Sequence, residues 1–507
     1  MRRMTLLFLV FILSLGAAGQ AMAYTTADLG EGIIEDPALE NGLKLILNKP
    51  IDSPLTSSDL EQLHVVDLSN AGIQSLAGLE YAKNLTHLRL YGNEIDDLTP
   101  LAHLTQLREV DVRNNYITSI DALADLKDLG RLYISNNSIS SIEVVRGFTR
   151  LHTFHASGNQ ITSLSALADA DDLQWLEISN NAITDLTPLA DKRKLKQLNV
   201  ANNHVHTLDV LADLPNTLQK LNVAGNEISD LMTLKHMTRL QALDFSGNQV
   251  QHLAPLEDLV GLKELNAESN QIYDLEPLHK LSKLEVLKLS NNRVWDLTPI
   301  AGFTFTRNSS THTNTITDIS ASTSISSGTQ TSISEPEPAG LTVQNNYLDV
   351  ASGSDTMRLL NQMNVREQKR TPQGKFQRLI EGSTTAYVGD QTYALEAAPF
   401  IDEGRTYVPL RFVSEQLNAS VNWNPDTQEV QIAQNGTVVR WTVGNKQVIV
   451  DDTLAINDAP LLMKDGKAFV PVRFISEQFN TTVVYIGSSK TILIFENKAQ
   501  DENVQLN

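Results

Sequence analysis

Rings, imidazoles and guanidinium groups cluster between residues 87 and 177, on three positions of a 22-residue period. They are His87, Arg89 and Tyr91, then Glu109 and Arg113, then Arg131 and Tyr133, then His155, then Trp175 and Glu177. Tyr, Trp and Arg are the side chains that dominate binding hot spots, and Arg grips carboxylates with two parallel hydrogen bonds. The chemistry on offer is recognition. Groups that make and break bonds are harder to find. The chain contains no G-x-S-x-G, no Walker-type phosphate loop, no H-E-x-x-H and no EF-hand loop. It has no cysteine, which removes thiolate nucleophiles, disulfides, thiolate-ligated zinc and iron–sulfur clusters. His204 and His206 flank Val205 without a third ligand close in sequence, so solvated surface is expected there. Asp96/Asp97 and Asp171/Asp172 read as turn residues. Neither a metal nor a cofactor is expected, and no catalytic residue is assigned.

The elements that position these groups follow from self-similarity. The pattern L-x-x-L-x-L-x-x-N-x-I/V runs from residue 85 to residue 294, with an opening copy at 63–73 that has Ala71 in place of the asparagine. The asparagines are Asn93, Asn115, Asn137, Asn159, Asn181, Asn203, Asn226, Asn248, Asn270 and Asn292. Each step is 22 residues except Asn203 to Asn226, which is 23, with the extra residue expected near Pro215-Asn216-Thr217. Each repeat supplies a short strand, a turn and a return segment. Its apolar side chains can be buried only against neighbouring repeats. The asparagine amide satisfies backbone groups that water cannot reach, so the series is structural. Strand side chains alternate, so the pattern leucines point inward and the rings and arginines lie on the concave face. Neighbouring strands sit about 4.8 Å apart, which makes one contiguous patch of His87, Arg89, Tyr91, Arg113, Arg131, Tyr133, His155, Trp175 and Glu177.

These repeats resemble those of the internalin-type 22-residue leucine-rich repeat proteins. The return segments Asp97–Leu101, Asp185–Leu189 and Asp296–Ile300 resemble that family's convex side, and residues 36–62 its helical N-terminal cap. The resemblance implies a horseshoe solenoid with a parallel β concave face and a mostly irregular or 3-10 convex side. It also implies adhesion to a protein receptor.

Residues 304–340 break the array. Eighteen of these 37 residues are Ser or Thr, too few apolar groups to order the segment. Leu341 to Leu348 then reads as the second half of a repeat. Asn346 lies 54 residues after Asn292, which is one repeat plus 32. The tract is therefore an expected insertion within a twelfth repeat, which loop-closure entropy tolerates. Residues 349–370 read as a C-terminal helical cap.

Beyond it, two segments align at a spacing of 62, 397–432 and 458–495, each with a V-P strand entry and an R-F-x-S-E-Q helix. Arg411/Glu415 and Arg473/Glu477 are expected as i,i+4 pairs. The motifs G-R-T-Y-V-P-L-R-F-V-S-E and G-K-A-F-V-P-V-R-F-I-S-E resemble the copper amine oxidase N-terminal-like module. That module lies outside the family's copper-bearing catalytic domain, and residues 371–507 contain no histidine, so no imidazole copper site is expected.

Residues 1–23 combine Arg2 and Arg3, an apolar run and Ala21-Met22-Ala23, the three parts of a secretory signal. The expected organisation is a signal peptide (1–23), an N-terminal cap (24–62), leucine-rich repeats (63–370, with the insertion at 304–340 and the cap at 349–370), an α+β domain (375–496) and a flexible tail (497–507). Over 507 residues the formal charge is −20, which disfavours nucleic acid. No later segment is apolar enough to span a bilayer. The expectation is a secreted, extracellular or wall-associated bacterial protein whose concave face binds a protein. A cell-wall glycan, through either domain, and a secreted hydrolase with an unrecognised site stay open as alternatives.

Overall fold

The computed structural model describes residues 33–214, 216–305, 341–348, 354–363, 365, 373–389, 391–487 and 489–497. The expected signal peptide, nearly all of the Ser/Thr-rich insertion and all but the first residue of the tail lie outside these residues, as do parts of both caps.

Twelve strands form one parallel sheet in chain order: β1 (Val65–Asp67), β2 (His87–Arg89), β3 (Glu109–Asp111), β4 (Arg131–Tyr133), β5 (Thr153–His155), β6 (Trp175–Glu177), β7 (Gln197–Asn199), β8 (Lys220–Asn222), β9 (Ala242–Asp244), β10 (Glu264–Asn266), β11 (Val286–Lys288) and β12 (Leu341–Thr342). The register is without slip, since His87 faces Glu109, which faces Arg131. Leu341 faces Leu287 in the same way across the segment 306–340. Each of the first eleven strands returns through a short 3-10 turn such as Thr99–Leu101. The D-L-T-P-L sequence explains that turn. Asp97 Oδ1 accepts from the Thr99 amide at 2.8 Å and its hydroxyl at 2.6 Å. Pro100 sits where the turn needs no amide donor, and Leu98 and Leu101 turn into the core. The 23-residue step leaves the strands in register, Gln197 against Lys220. There the 3-10 turn lengthens to Asp209–Asp213.

One hydrophobic core runs from Ile34 to Val365. Its first layer is α1 (Pro37–Ile46), whose N-cap Asp36 ties cap to repeat. One carboxylate oxygen accepts from the Ala38 and Leu39 amides and the other from those of Gln74 and Ser75. Burial pushes the Asp36 carboxyl up, but these four donors outweigh it and leave it below its ordinary value. A four-residue helix, α2 (Ser57–Leu60), follows with a Thr56/Asp59 capping box. At the other end α3 (Asp355–Gln362), capped by Ser354, buries Leu360 in the same core.

The second domain is a pair of interlocked halves. The first half holds β13 (Phe376–Ile380), β14 (Thr385–Val388), β15 (Gln391–Ala394), β16 (Phe400–Asp402), β17 (Arg405–Pro409), α4 (Leu410–Gln416), β18 (Ser420–Asn424) and β19 (Glu429–Gln434). The second half holds β20 (Thr437–Thr442), β21 (Gln447–Val450), β22 (Thr453–Ile456), β23 (Leu462–Lys464), β24 (Lys467–Pro471), α5 (Val472–Gln478), β25 (Thr481–Ile486) and β26 (Thr491–Glu496). The 62-residue offset thus extends to the hairpins before each aligned segment, so each structural unit is larger than the sequence similarity. The sheets exchange strands, in the orders β15-β14-β13-β26-β25, β16-β17-β24-β23 and β18-β19-β20-β21-β22. Neither half can bury its apolar faces alone.

The two domains meet. Asn346 bridges to Gln373, and the Tyr347 hydroxyl donates to the Glu496 carbonyl at 2.7 Å. The Tyr347 ring packs on Phe495 and Phe376, and Trp295 joins that cluster from the eleventh repeat.

Candidate functional site: the concave face

The register sets three files of side chains across the N-terminal half of the sheet. The first file is His87, Glu109, Arg131, Thr153, Trp175 and Gln197. The second is Arg89, Asp111, Tyr133, His155, Glu177 and Asn199. The third, just past the strands, begins with Tyr91 and Arg113.

Charge is neutralised within and between the files. The Glu109 carboxylate is 4% exposed and accepts from Arg89 Nε at 2.8 Å and Arg131 Nη1 at 2.7 Å. Burial pushes its carboxyl up, but the hydrogen bonds and charges of Arg131 and Arg89 outweigh this and hold it below the ordinary value. The Asp111 hydrogen bond, opposed by burial, raises the Arg113 guanidinium. Arg113 donates through Nε and Nη2 at 2.9 and 2.5 Å. Its guanidinium lies 5.5 Å from the Tyr91 ring centre and 5.2 Å from that of Tyr133, within cation–π range of both. The Tyr133 ring meets His155 edge-on at 4.8 Å. Trp175 forms a second cluster, with His152 edge-on at 6.0 Å and Lys196 Nζ 5.3 Å from its ring.

The structure therefore corrects part of the expected patch. His87, Arg89, Tyr91, Arg113, Arg131 and Trp175 keep accessible surface. Tyr133, His155 and Glu177 do not, at 4%, 5% and 7% exposed. Alternation assigns a face but not a depth, and neighbours 4.8 Å away cover these three. Glu177 lies beneath Ser157, Ser179 and Asn199, which hydrogen-bond it. Sequence reasoning missed Asp111, His152 and Lys196. Asp111 could have been found by reading the third strand position of every repeat. The C-terminal half of the face is polar and internally bonded, as in Asn266 Nδ2 to Asp244 at 2.9 Å.

The asparagines sit beneath this face and link consecutive repeats. Asn203 Oδ1 accepts from Ile183 of the previous repeat at 2.9 Å. Its Nδ2 donates to Val200 in its own turn and to Ile178 one repeat back. The arrangement recurs from Asn93 through Asn115, Asn137, Asn159, Asn181, Asn226, Asn248, Asn270 and Asn292 to Asn346.

A second series lies one residue earlier. Residues 70, 92, 114, 136, 158, 180, 202, 225, 247, 269, 291 and 345 all have φ between +53° and +71°. Eleven of them are Asn or Gly, the types that tolerate this region. The exception is Ser269, whose Oγ receives Asn291 Nδ2 at 3.3 Å. Ser269→Asn is expected to stabilise the chain by about 0.5–1 kcal/mol. Urea unfolding checks this, and an unchanged or lower midpoint refutes it.

His204 and His206 both turn Nδ1 toward Glu227, at 3.8 and 3.4 Å. Among the described residues no group of three His, Asp or Glu is placed to hold a metal. No described helix is long and apolar enough to cross a membrane. In the second domain the expected i,i+4 pairs are replaced. Arg411 Nη1 reaches Glu396 at 3.2 Å and Arg473 Nη1 reaches Asp458 at 3.2 Å. Glu396 also receives Lys467, and Asp458 receives Arg405. Each acid is thus held by one cation from either half, a geometry that a pair along a single helix does not provide.

Comparison with known proteins agrees with this architecture. The family described as copper amine oxidase N-terminal domain matches residues 387–494. Leucine-rich repeat families match residues 83–127, 260–302 and 215–231. Among solved structures, an internalin (InlF) from Listeria monocytogenes is 24% identical, with a TM-score of 0.54 over 67% of this chain and 95% of that one. Internalin C2 of the same organism is 30% identical, with a TM-score of 0.38 over 46% of this chain and 94% of that one. The functional domain of InlJ, also from Listeria monocytogenes, is 16% identical, with a TM-score of 0.43 over 80% and 93%.

Proposed function

We propose that this chain, which carries internalin-like leucine-rich repeats followed by a copper amine oxidase N-terminal domain, is an exported bacterial recognition protein whose concave face binds a protein ligand. The observation that carries the reading is the cluster Tyr91–Arg113–Tyr133, which joins the second and third files. A guanidinium is fixed there by a buried carboxylate and held between two rings. Such a group is ordered before any ligand arrives, so binding loses less side-chain entropy. Trp175, half-buried three repeats from Arg113, supplies a second anchor of the type that dominates hot spots. The signal-like residues 1–23 support export. Recognition of this kind requires no covalent step.

The test is capture of extracellular proteins by the full chain and by Trp175→Ala. Hot-spot truncation costs about 2 kcal/mol or more, so the variant is expected to weaken capture at least tenfold with an unchanged thermal midpoint. Equal capture by both would move the site off this face.

A further inference from the structure

The second domain contains a cleft of about 260 Å³ between α4 and two sheet edges, β18 and β23. Trp423 of β18 stands at its rim, 41% exposed. Met463 of β23, also exposed, lines the same cleft. Phe412 and Val430 add apolar lining. The polar lining is two cations and two acids, Arg411 and Lys467 against Glu396 and Glu415. Glu396 engages one Arg411 nitrogen at 3.2 Å and the Lys467 ammonium at 2.8 Å.

The other half of the domain supplies an internal comparison. The 62-residue offset places Tyr485 at the Trp423 position, Phe474 at the Phe412 position and Arg473 at the Arg411 position. There the Tyr485 hydroxyl donates to Glu381 at 2.9 Å. Phe474 is buried against Trp441 at 4.5 Å. Tyr485 is 37% exposed, but its hydroxyl is tied to Glu381 of the first half, and Phe474 is taken into the core. The first half leaves the larger ring outside, beside an open cleft.

We propose that this cleft is a binding site for a neutral saccharide. The indole offers a flat apolar face for the C–H side of a sugar ring, with a polar edge. Arg411 and Glu415 are planar groups able to donate to, or accept from, adjacent hydroxyls in pairs. The lining cancels in formal charge, two against two, so a charged ligand gains no net attraction and pays desolvation of its charge. The volume falls just below the range of about 300–1,000 Å³ that encloses drug-sized ligands, which suits a short stretch of glycan lying across an open rim.

The experiment titrates the full chain with chitotetraose, cellotetraose and an oligogalacturonate of equal length, read by calorimetry. At least one neutral tetramer is expected to bind. Trp423→Ala should weaken it tenfold or more, and Tyr485→Ala and Trp175→Ala should leave it unchanged. Absence of heat with both neutral tetramers overturns the proposal, as does undiminished binding by Trp423→Ala. Binding of the uronate alone would also overturn it, since the site would then select charge. Thermal midpoints of the three variants separate lost binding from lost fold. Failure here leaves the concave-face reading intact, because the two sites share no residue.

Discussion

Asn346→Ala is expected to destabilise the chain more than the same change at any asparagine nearer the N-terminus of the ladder. Asn346 is 0% exposed. Its Oδ1 accepts from the Val294 amide at 2.9 Å, and its Nδ2 donates to the Leu289 and Val343 carbonyls at 2.8 and 3.0 Å. Val343 keeps a second donor in Gln373 Nε2 at 2.9 Å. The Leu289 carbonyl keeps Asn292 Nδ2 at 3.0 Å, so the amide of Val294 is the group that loses the side-chain partner replacing water there. An unsatisfied buried group costs about 1–3 kcal/mol, and that is the expected local loss. Position adds to the consequence. β12 is only two residues long, and the Asn346 carbonyl accepts from the amide of Gly374, two residues before β13 of the second domain, at 2.6 Å. Loosening this turn also loosens the junction. Denaturant unfolding of the full chain, with hydrogen exchange at the Val294 amide, measures both. A loss no larger than that of Asn93→Ala, with Val294 still protected, would show that the interdomain contacts hold the turn without the asparagine.

Much of this arrangement is legible in the sequence, because the repeat makes each residue's position a matter of counting. Leucines at fixed spacing have one burial solution, stacking, and the asparagine after each strand follows from the backbone groups that stacking hides. The twelfth repeat was legible for the same reason, since Asn346 differs from register by one insertion. Depth was not legible. Tyr133 and Tyr91 both lie on the concave side, yet Tyr133 is covered and Tyr91 is partly open, which depends on the Arg113 and His155 side chains around them. The left-handed residue before each asparagine was visible as a run of N-N and G-N pairs. Its cause is a backbone angle, which the leucine spacing does not encode. Arg411 was misassigned because helix spacing suggests Glu415, whereas the partner Glu396 comes from fifteen residues earlier. The exchange of strands between halves has no local signature at all, because each half is complete in sequence and only pairing decides which sheet it joins.

The concave face also makes a sharp electrostatic prediction. Replacing Arg89 and Arg131 together by Met keeps much of the apolar stem packing and leaves the Glu109 carboxylate buried without either cation. Removing the partners of a buried charge is strongly destabilising, about 3–5 kcal/mol, and that is the expected loss at neutral pH. The pH dependence should reverse in sign. In the natural chain the folded-state carboxyl of Glu109 lies below its ordinary value of 4.5. Its contribution is present above that value and is lost as pH falls through the lowered one. In the double variant burial acts unopposed and raises the folded-state carboxyl above the ordinary value. Its penalty is then full at neutral pH and is relieved as pH falls through the raised value, where the group binds a proton on folding. The stability gap between the two chains should therefore close in acid. Adding Glu109→Gln to the double variant removes the charge and should recover most of the loss at neutral pH, with no such pH dependence. Urea unfolding of the three chains from pH 7 to pH 4 distinguishes the outcomes. A gap that is constant across this range, or a third substitution that recovers nothing, would mean that the loss is one of packing. The arginines would then be held on this face by contacts other than the buried carboxylate.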